Sequence, residues 1–93
     1  MMALVYVVEF GNSFEKGNIA RGELYQKLFE NAYDSNKSLN LLSPDAVGHA
    51  YSEACVYYFK KGQKIKARQL LDKGLQLVPN DYQLKVRKQM MGG

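Results

Sequence analysis

His49 and Cys55 carry side chains often used in nucleophilic catalysis, and each of these residue types occurs once in the chain. The two residues are six positions apart on one predicted helix, where each step turns by about 100°, so they point about 120° apart. An imidazole in that position cannot activate the thiol as a nucleophile. Cys55 also falls on an apolar stripe, and the sequence therefore predicts a buried structural thiol.

Other reactive groupings are also missing from the sequence pattern. One His and one Cys do not supply a zinc-binding set. No glycine is followed by the Lys-Ser or Lys-Thr pair of a phosphate-binding loop. Glu9 and Glu15 are six residues apart on a predicted helix and point in different directions. The sequence thus predicts no enzyme activity, no metal site and no other cofactor.

Length and composition predict one small folded domain. The chain has 93 residues, 46% of them hydrophobic, which is enough to build a core. No apolar run approaches the roughly 18 residues that span a bilayer, so no membrane span is predicted. The start of the chain is not a convincing signal peptide; the compartment stays undetermined, with the cytoplasm favoured. The doubled Met at the start and Gly92-Gly93 at the end suggest a fragment of a longer protein.

Charge is distributed unevenly along the chain. Residues 1–59 contain four basic and seven acidic residues, a net charge of −3, whereas residues 60–93 contain nine and two, a net charge of +7. This asymmetry makes nucleic acid or another polyanion one alternative ligand. Lys outnumbers Arg seven to two in the second part. That ratio favours solvated charges over bidentate phosphate recognition, so nucleic acid is disfavoured as a partner.

Two apolar stripes with helical spacing occupy the middle of the chain. Gly62 separates them, and Pro79 ends the second. Two amphipathic helices joined by about three residues are expected to pack as an αα-hairpin. The first stripe consists of Val47, Ala50, Tyr51, Ala54, Cys55 and Tyr58, and the second of Ala67, Leu70, Leu71, Gly74, Leu75 and Val78.

This alternation of large and small residues resembles the tetratricopeptide repeat (TPR), a 34-residue helix–turn–helix unit with the pattern W-x2-L-G-x2-Y, A-x3-F and P. The first element corresponds to Tyr51, Ala54, Cys55 and Tyr58, and the rest to Ala67, Leu71, Gly74 and Pro79, with Gly62 at the turn. The departures keep the residue size, except that Ala54 is smaller than the expected Leu.

The start of the chain resembles the first helix of that repeat. Adding 44 to the numbers of Ala3, Tyr6, Val7, Phe10, Gly11 and Phe14 gives the six residues of the first stripe. A β-strand over residues 4–8 is the alternative, because this run is apolar and β-branched. Lys16-Gly17-Asn18 is the predicted turn, and a second helix follows from about Ile19 to Tyr33. Its predicted buried stripe consists of Tyr25, Leu28, Phe29, Ala32 and Tyr33.

The predicted fold class is all-α, a TPR-like αα-hairpin solenoid of two hairpins and a C-terminal capping helix. Its divisions are a degenerate repeat over 3–36, a linker over 37–43, a clear repeat over 44–79 and a capping helix over 80–91. Ser43 is the predicted cap of the third helix, and Asn80 or Asp81 the cap of the last. In the last helix, Tyr82, Leu84, Val86 and Met90 are the apolar positions.

The resemblance implies a concave groove that binds a peptide or helix from a partner protein, lined by the first helix of each hairpin and by the cap. The corresponding residues are Glu9, Asn12, His49, Ser52, Glu53, Val56, Lys60 and Arg87, together with Val5, Val8 and Gln83. The alternative is that these are solvated polar positions without a ligand. The clamp that holds chaperone C-termini in some TPR proteins is matched only at Asn12 and Arg87. Glu53 would repel an incoming carboxylate, which disfavours such tails.

Self-association is a further alternative. Two repeats fall short of the three usually needed for independent stability. Leu4, Val5 and Val8 are expected to project from the first helix without a preceding repeat to cover them. The sequence therefore predicts that this apolar patch packs on a second copy in a homodimer, or on another partner.

Overall fold

The computed structural model describes residues 2–35 and 44–91, which form five helices. They are α1 (Met2–Glu15), α2 (Ile19–Ser35), α3 (Pro44–Lys60), α4 (Lys64–Leu77) and α5 (Tyr82–Met90). No strand occurs within these two ranges, so the all-α prediction is confirmed for them and the strand alternative at residues 4–8 is wrong. The predicted linker 37–43 and the predicted cap Ser43 lie outside the described residues. No helix within the described ranges is long and apolar enough to span a bilayer.

The turns after α1 and α3 have the same hydrogen-bonded geometry. Gly17 and Gly62 both have a φ of +81°, a value that glycine adopts without steric cost. The N–H of Gly17 donates to the carbonyl of Phe14 at 3.1 Å, and that of Asn18 to Ser13 at 2.8 Å. The pattern is repeated after α3 at Gly62 and Gln63. Helices α1 and α3 therefore both end in a Schellman motif, which reverses the chain so that the next helix packs against the preceding one.

Helix α3 forms the centre of the molecule, because it packs against α1, α4 and α5. Tyr51 of α3 is fully buried, with its ring 5.0 Å from that of Phe10 in an edge-to-face contact. Its hydroxyl donates a hydrogen bond of 2.5 Å to Glu30 of α2. Burial, reinforced by this carboxylate, raises the pKa of Tyr51 well above its usual range. Tyr51 therefore joins α1, α2 and α3 in one core.

Close helix approach depends on small residues, as the spacing predicts. A Cβ atom at Gly11 would lie 2.9 Å from Cδ2 of His49 and 3.0 Å from Cα of Ala50, so the backbones of α1 and α3 approach each other closely there. Ala54, Cys55 and Ala67 are all buried. The burial of α1 also follows the 44-residue correspondence, with Val7, Phe10 and Phe14 buried like Tyr51, Ala54 and Tyr58.

Asp81 fixes the start of α5. Its carboxylate accepts a hydrogen bond of 3.0 Å from the N–H of Leu84, as expected of an N-cap residue. The Asp81 side chain lies against Gly48 of α3, where a Cβ atom would collide with it. The cap predicted at Asn80 or Asp81 is therefore Asp81, and it also packs α5 against α3.

Several predicted apolar positions are less buried than their spacing suggests. In α2 only Phe29 of the predicted stripe is buried, because α2 packs mainly against α1. Tyr82 and Met90 of α5 are largely exposed, because this short helix presents Leu84 alone to the core. The half-buried members of the predicted stripes are Tyr25, Leu28, Ala32, Tyr33, Leu75, Val78 and Val86.

Candidate functional site

A cavity of about 170 Å³ lies between α3 and α5, and we call it the α3–α5 pocket. Its wall exposes no polar atoms, since the two basic residues contribute their aliphatic stems. Three residues predicted for the groove, Val56, Lys60 and Arg87, line it together. The full lining is Cys55, Val56, Phe59, Lys60, Arg87, Met90 and Met91.

Arg87 is held in place at this pocket by a buried hydroxyl. Its Nε donates a hydrogen bond of 2.9 Å to Oγ of Ser52, which is fully buried on α3. One terminal nitrogen lies 3.3 Å from Sδ of Met90. Ser52, also predicted as a groove residue, thus acts on the pocket indirectly by orienting the guanidinium. An orientation fixed in advance lowers the entropy cost of binding a ligand there.

Cys55 forms the inner wall of the α3–α5 pocket as a neutral thiol. It is buried, and its Sγ lies 3.4 Å from Sδ of Met91. Burial raises the pKa of the Cys55 thiol, and the nearby Arg87 guanidinium opposes this only in part. The predicted burial of Cys55 is confirmed, and a protonated, buried thiol is a poor nucleophile.

The other predicted groove residues do not reach the α3–α5 pocket. Glu9 forms an ion pair with Arg21 of α2 at 2.6 Å. Asn12 is half-buried on the same helix. His49 and Glu53 are half-buried on α3 and lie near Glu15, whose Oε1 is 3.1 Å from Nε2 of His49. Val56 and Lys60 of the α3–α5 pocket also line a shallow depression together with Glu53.

The sequence pattern did not predict Phe59, Met90 and Met91 as parts of a site. Phe59 follows Cys55 and Val56 by four and three positions, so helical spacing places it on the same side of α3. Met90 and Met91 occupy the end of the last helix, where sequence alone does not show which element they meet. Methionine side chains adapt to varied apolar ligands, which suits a binding surface.

Several basic side chains of the second part of the chain are engaged within the molecule. Nζ of Lys66 lies 3.4 Å from Glu23 and 4.6 Å from the ring centre of Tyr58. Lys61 lies over the ring of Tyr57 at 5.6 Å. The Arg68 guanidinium is 3.5 Å from the Asp72 carboxylate. The two carboxylates offset the positive charges of Lys66 and Arg68, whereas Lys61 keeps its full charge over the ring.

The three residues predicted for self-association form an exposed apolar cluster on α1, which we call the N-terminal patch. Leu4, Val5 and Val8 are 37%, 50% and 40% exposed. Val7, on a neighbouring side of the same helix, is fully buried. Helix α1 is therefore apolar on both its core face and part of its outer face.

Comparisons with protein-family models, curated proteins and solved structures returned no match. The resemblance to tetratricopeptide repeats accordingly depends on the residues and geometry of this chain alone.

Proposed function

We propose that this chain is a non-catalytic, TPR-like scaffold that binds a peptide or helix of a partner protein. The observation that carries the proposal is the α3–α5 pocket, where Val56, Lys60 and Arg87 surround an apolar cavity. Each of these three residues corresponds to a groove position of the repeat. The cavity lies between α3 and α5, which are the first helix of the clear repeat and the cap.

The TPR-like arrangement is supported by how the helices pack. Helices α1 and α2 pack against each other, as do α3 and α4, and each pair is joined by the same Schellman turn. The first helix of each pair also contacts the next one, because α3 packs on both α1 and α5. A row of first helices of this kind is the surface that helical-repeat proteins present to ligands.

The chemistry of the α3–α5 pocket selects an apolar side chain next to an acidic group. Engineered apolar cavities of about 150 Å³ bind benzene, so a cavity of this size accepts one aromatic or aliphatic side chain. Arg87 and Lys60 line the pocket with their aliphatic stems, and their charged ends, which are not part of its wall, favour a carboxylate next to it. The proposed ligand is therefore a segment with an apolar anchor followed or preceded by Asp, Glu or a free carboxyl terminus.

Selection from a displayed library of random peptides tests this proposal. The affinity of each enriched peptide is then measured for two variants. Val56→Glu places a charge in the pocket, and the control Gln76→Glu adds the same charge on the exposed side of α4. We expect Val56→Glu to weaken binding about tenfold or more and Gln76→Glu to leave it unchanged. Circular dichroism of both variants verifies that they fold.

Two outcomes contradict the peptide-binding proposal. One is a selection without enriched peptides. The other is a set of enriched peptides that bind Val56→Glu as tightly as the wild type. Mixed RNA is the probe for the polyanion alternative; binding with a steep salt dependence that survives Val56→Glu would replace the peptide proposal with that alternative.

Self-association is the second candidate function, favoured by the exposure of the N-terminal patch. Burying three such side chains contributes on the order of 4–6 kcal/mol before the cost of association. We expect the chain to dimerise through this patch and the double variant Val5→Glu, Val8→Lys to be monomeric. Sedimentation equilibrium measures both. A monomeric wild type, or an unchanged dimer in the double variant, would rule out this interface.

A further inference from the structure

A second cluster of potential ligand atoms lies on α1 and α3, outside the α3–α5 pocket. It consists of Glu15, the last residue of α1, and His49 and Glu53, one turn apart on α3. Nε2 of His49 is 3.1 Å from Oε1 of Glu15, and one ligand atom from each of the three residues lies within 4.8 Å of the others. The spacing of four residues between His49 and Glu53 places both on one face of α3.

The packing of α1 on α3 is what brings these side chains together. Gly11 has no side chain, and a Cβ atom there would lie 2.9 Å from Cδ2 of His49. The imidazole consequently packs against the α1 backbone, on the same side as the end of α1 that carries Glu15. Gly11 thus positions the ring, while the carboxylates of Glu15 and Glu53 retain the freedom of exposed and half-exposed side chains.

We propose that Glu15, His49 and Glu53 bind Zn²⁺ or a similar first-row divalent cation. Imidazole nitrogen and carboxylate oxygen are ordinary zinc ligands at about 2.0–2.2 Å, which requires donor atoms about 3.3 Å apart. The His49–Glu15 distance already meets this requirement, and rotation of the two Glu side chains closes the remainder. Ca²⁺ and Mg²⁺ prefer sites made wholly of oxygen, so the imidazole selects against them.

Three protein ligands leave a coordination position for water or for a carboxylate from a partner. Lys16 and Lys60 line the same shallow depression as Glu15 and Glu53 and compete for these carboxylates. We therefore expect moderate rather than tight affinity. None of the three ligands lines the α3–α5 pocket, although Lys60 lines both the pocket and the depression. Titration with Zn²⁺ requires no peptide, so its result is distinguishable from that of the peptide selection.

Titration of the tag-free full chain with Zn²⁺ tests the site by calorimetry and NMR. His49 is the only histidine, so its ring resonances report directly on the proposed ligand. We expect one equivalent to bind and to shift these resonances. His49→Gln should weaken binding about tenfold or more, and Glu15→Gln should also weaken it. Asp72→Asn on α4 is the carboxylate control and should bind like the wild type.

Cys55→Ser separates the proposed site from zinc binding at the thiol. We expect this variant to retain the affinity and the shifts of the His49 resonances. Circular dichroism establishes whether each variant is folded. Glu15 lies at an exposed helix end, so Glu15→Gln tests the site without replacing the packed imidazole of His49. Three results would overturn the proposal: no saturable binding, undiminished affinity in both His49→Gln and Glu15→Gln, or loss of binding in Cys55→Ser.

Discussion

Replacing Gly74 of α4 by alanine tests whether a close helix approach limits the sequence at this position. A Cβ atom there would lie 2.8 Å from Cδ1 of Leu84 on α5 and 2.8 Å from Cβ of Tyr51 on α3. The Leu84 methyl group can move away by rotating its side chain. Cβ of Tyr51 cannot, because it is attached to the α3 backbone and its ring is fixed by Phe10 and Glu30.

The expected effect is the difference between two opposing contributions. Forcing extra atoms into a packed core costs about 1–3 kcal/mol. Replacing a helical glycine by alanine stabilises the helix by about 1 kcal/mol. Because Cβ of Tyr51 cannot move aside, we expect a packing cost in the upper part of this range, about 2–3 kcal/mol. After the gain in helix propensity, Gly74→Ala should lower the free energy of unfolding by about 1–2 kcal/mol. Gly74→Leu should lower it further, because three more carbon atoms must be accommodated at the same contact.

Urea unfolding followed by circular dichroism measures this difference. Gln76→Ala, an exposed substitution on the same helix, is the matched control and should change the free energy of unfolding by about 0.5 kcal/mol or less. A Gly74→Ala variant as stable as the wild type or more stable would refute the reasoning. It would mean that α3 and α5 can move away from α4 at little cost, and the small-residue argument for the repeat would lose its basis.

Three further expectations follow from local contacts. Asp81→Ala should lower the free energy of unfolding by about 1 kcal/mol in urea melts, because the cap on Leu84 is lost, and Asp81→Asn should retain most of the stability. The pKa of Tyr51 is raised, so above pH 10.0, its usual value, only the unfolded state ionises. The free energy of unfolding should therefore be constant with respect to this group below pH 10.0 and decrease above it. Urea melts of Tyr51→Phe should show a smaller decrease over the same pH range. Cys55 should react slowly with iodoacetamide in the folded chain and rapidly in urea, as measured by mass spectrometry, and fast native labelling would contradict its burial.

Turns and helix ends were predictable because they depend on short-range interactions. Gly17 and Gly62 have positive φ values, which favour glycine, so a glycine at these positions was enough to predict each turn. Asp81 accepts a hydrogen bond from the N–H of Leu84, three residues later, which is the local pattern expected of an N-cap residue. The buried face of α3 follows equally from helical spacing, since a helix packed on three others must bury its apolar stripe.

The extent of burial in the outer helices depends on neighbours that the sequence does not reveal. Tyr25 and Tyr33 of α2 have the spacing of core residues, yet they stay half-buried because α2 packs mainly against one helix. Tyr82 has an apolar ring in a capping helix, yet it is 78% exposed. Periodicity identifies which side of a helix is apolar, but only packing determines how much of that side is covered.

Both candidate sites were decided by tertiary structure. The thiol of Cys55 meets the thioether of Met91 across 36 positions, and His49 of α3 meets Glu15 of α1. Helical spacing relates residues three or four positions apart and gives no information about such pairs. Their contact depends on where α1 and α5 cross α3, which is set by the absence of a side chain at Gly11 and by the fit of Asp81 against Gly48.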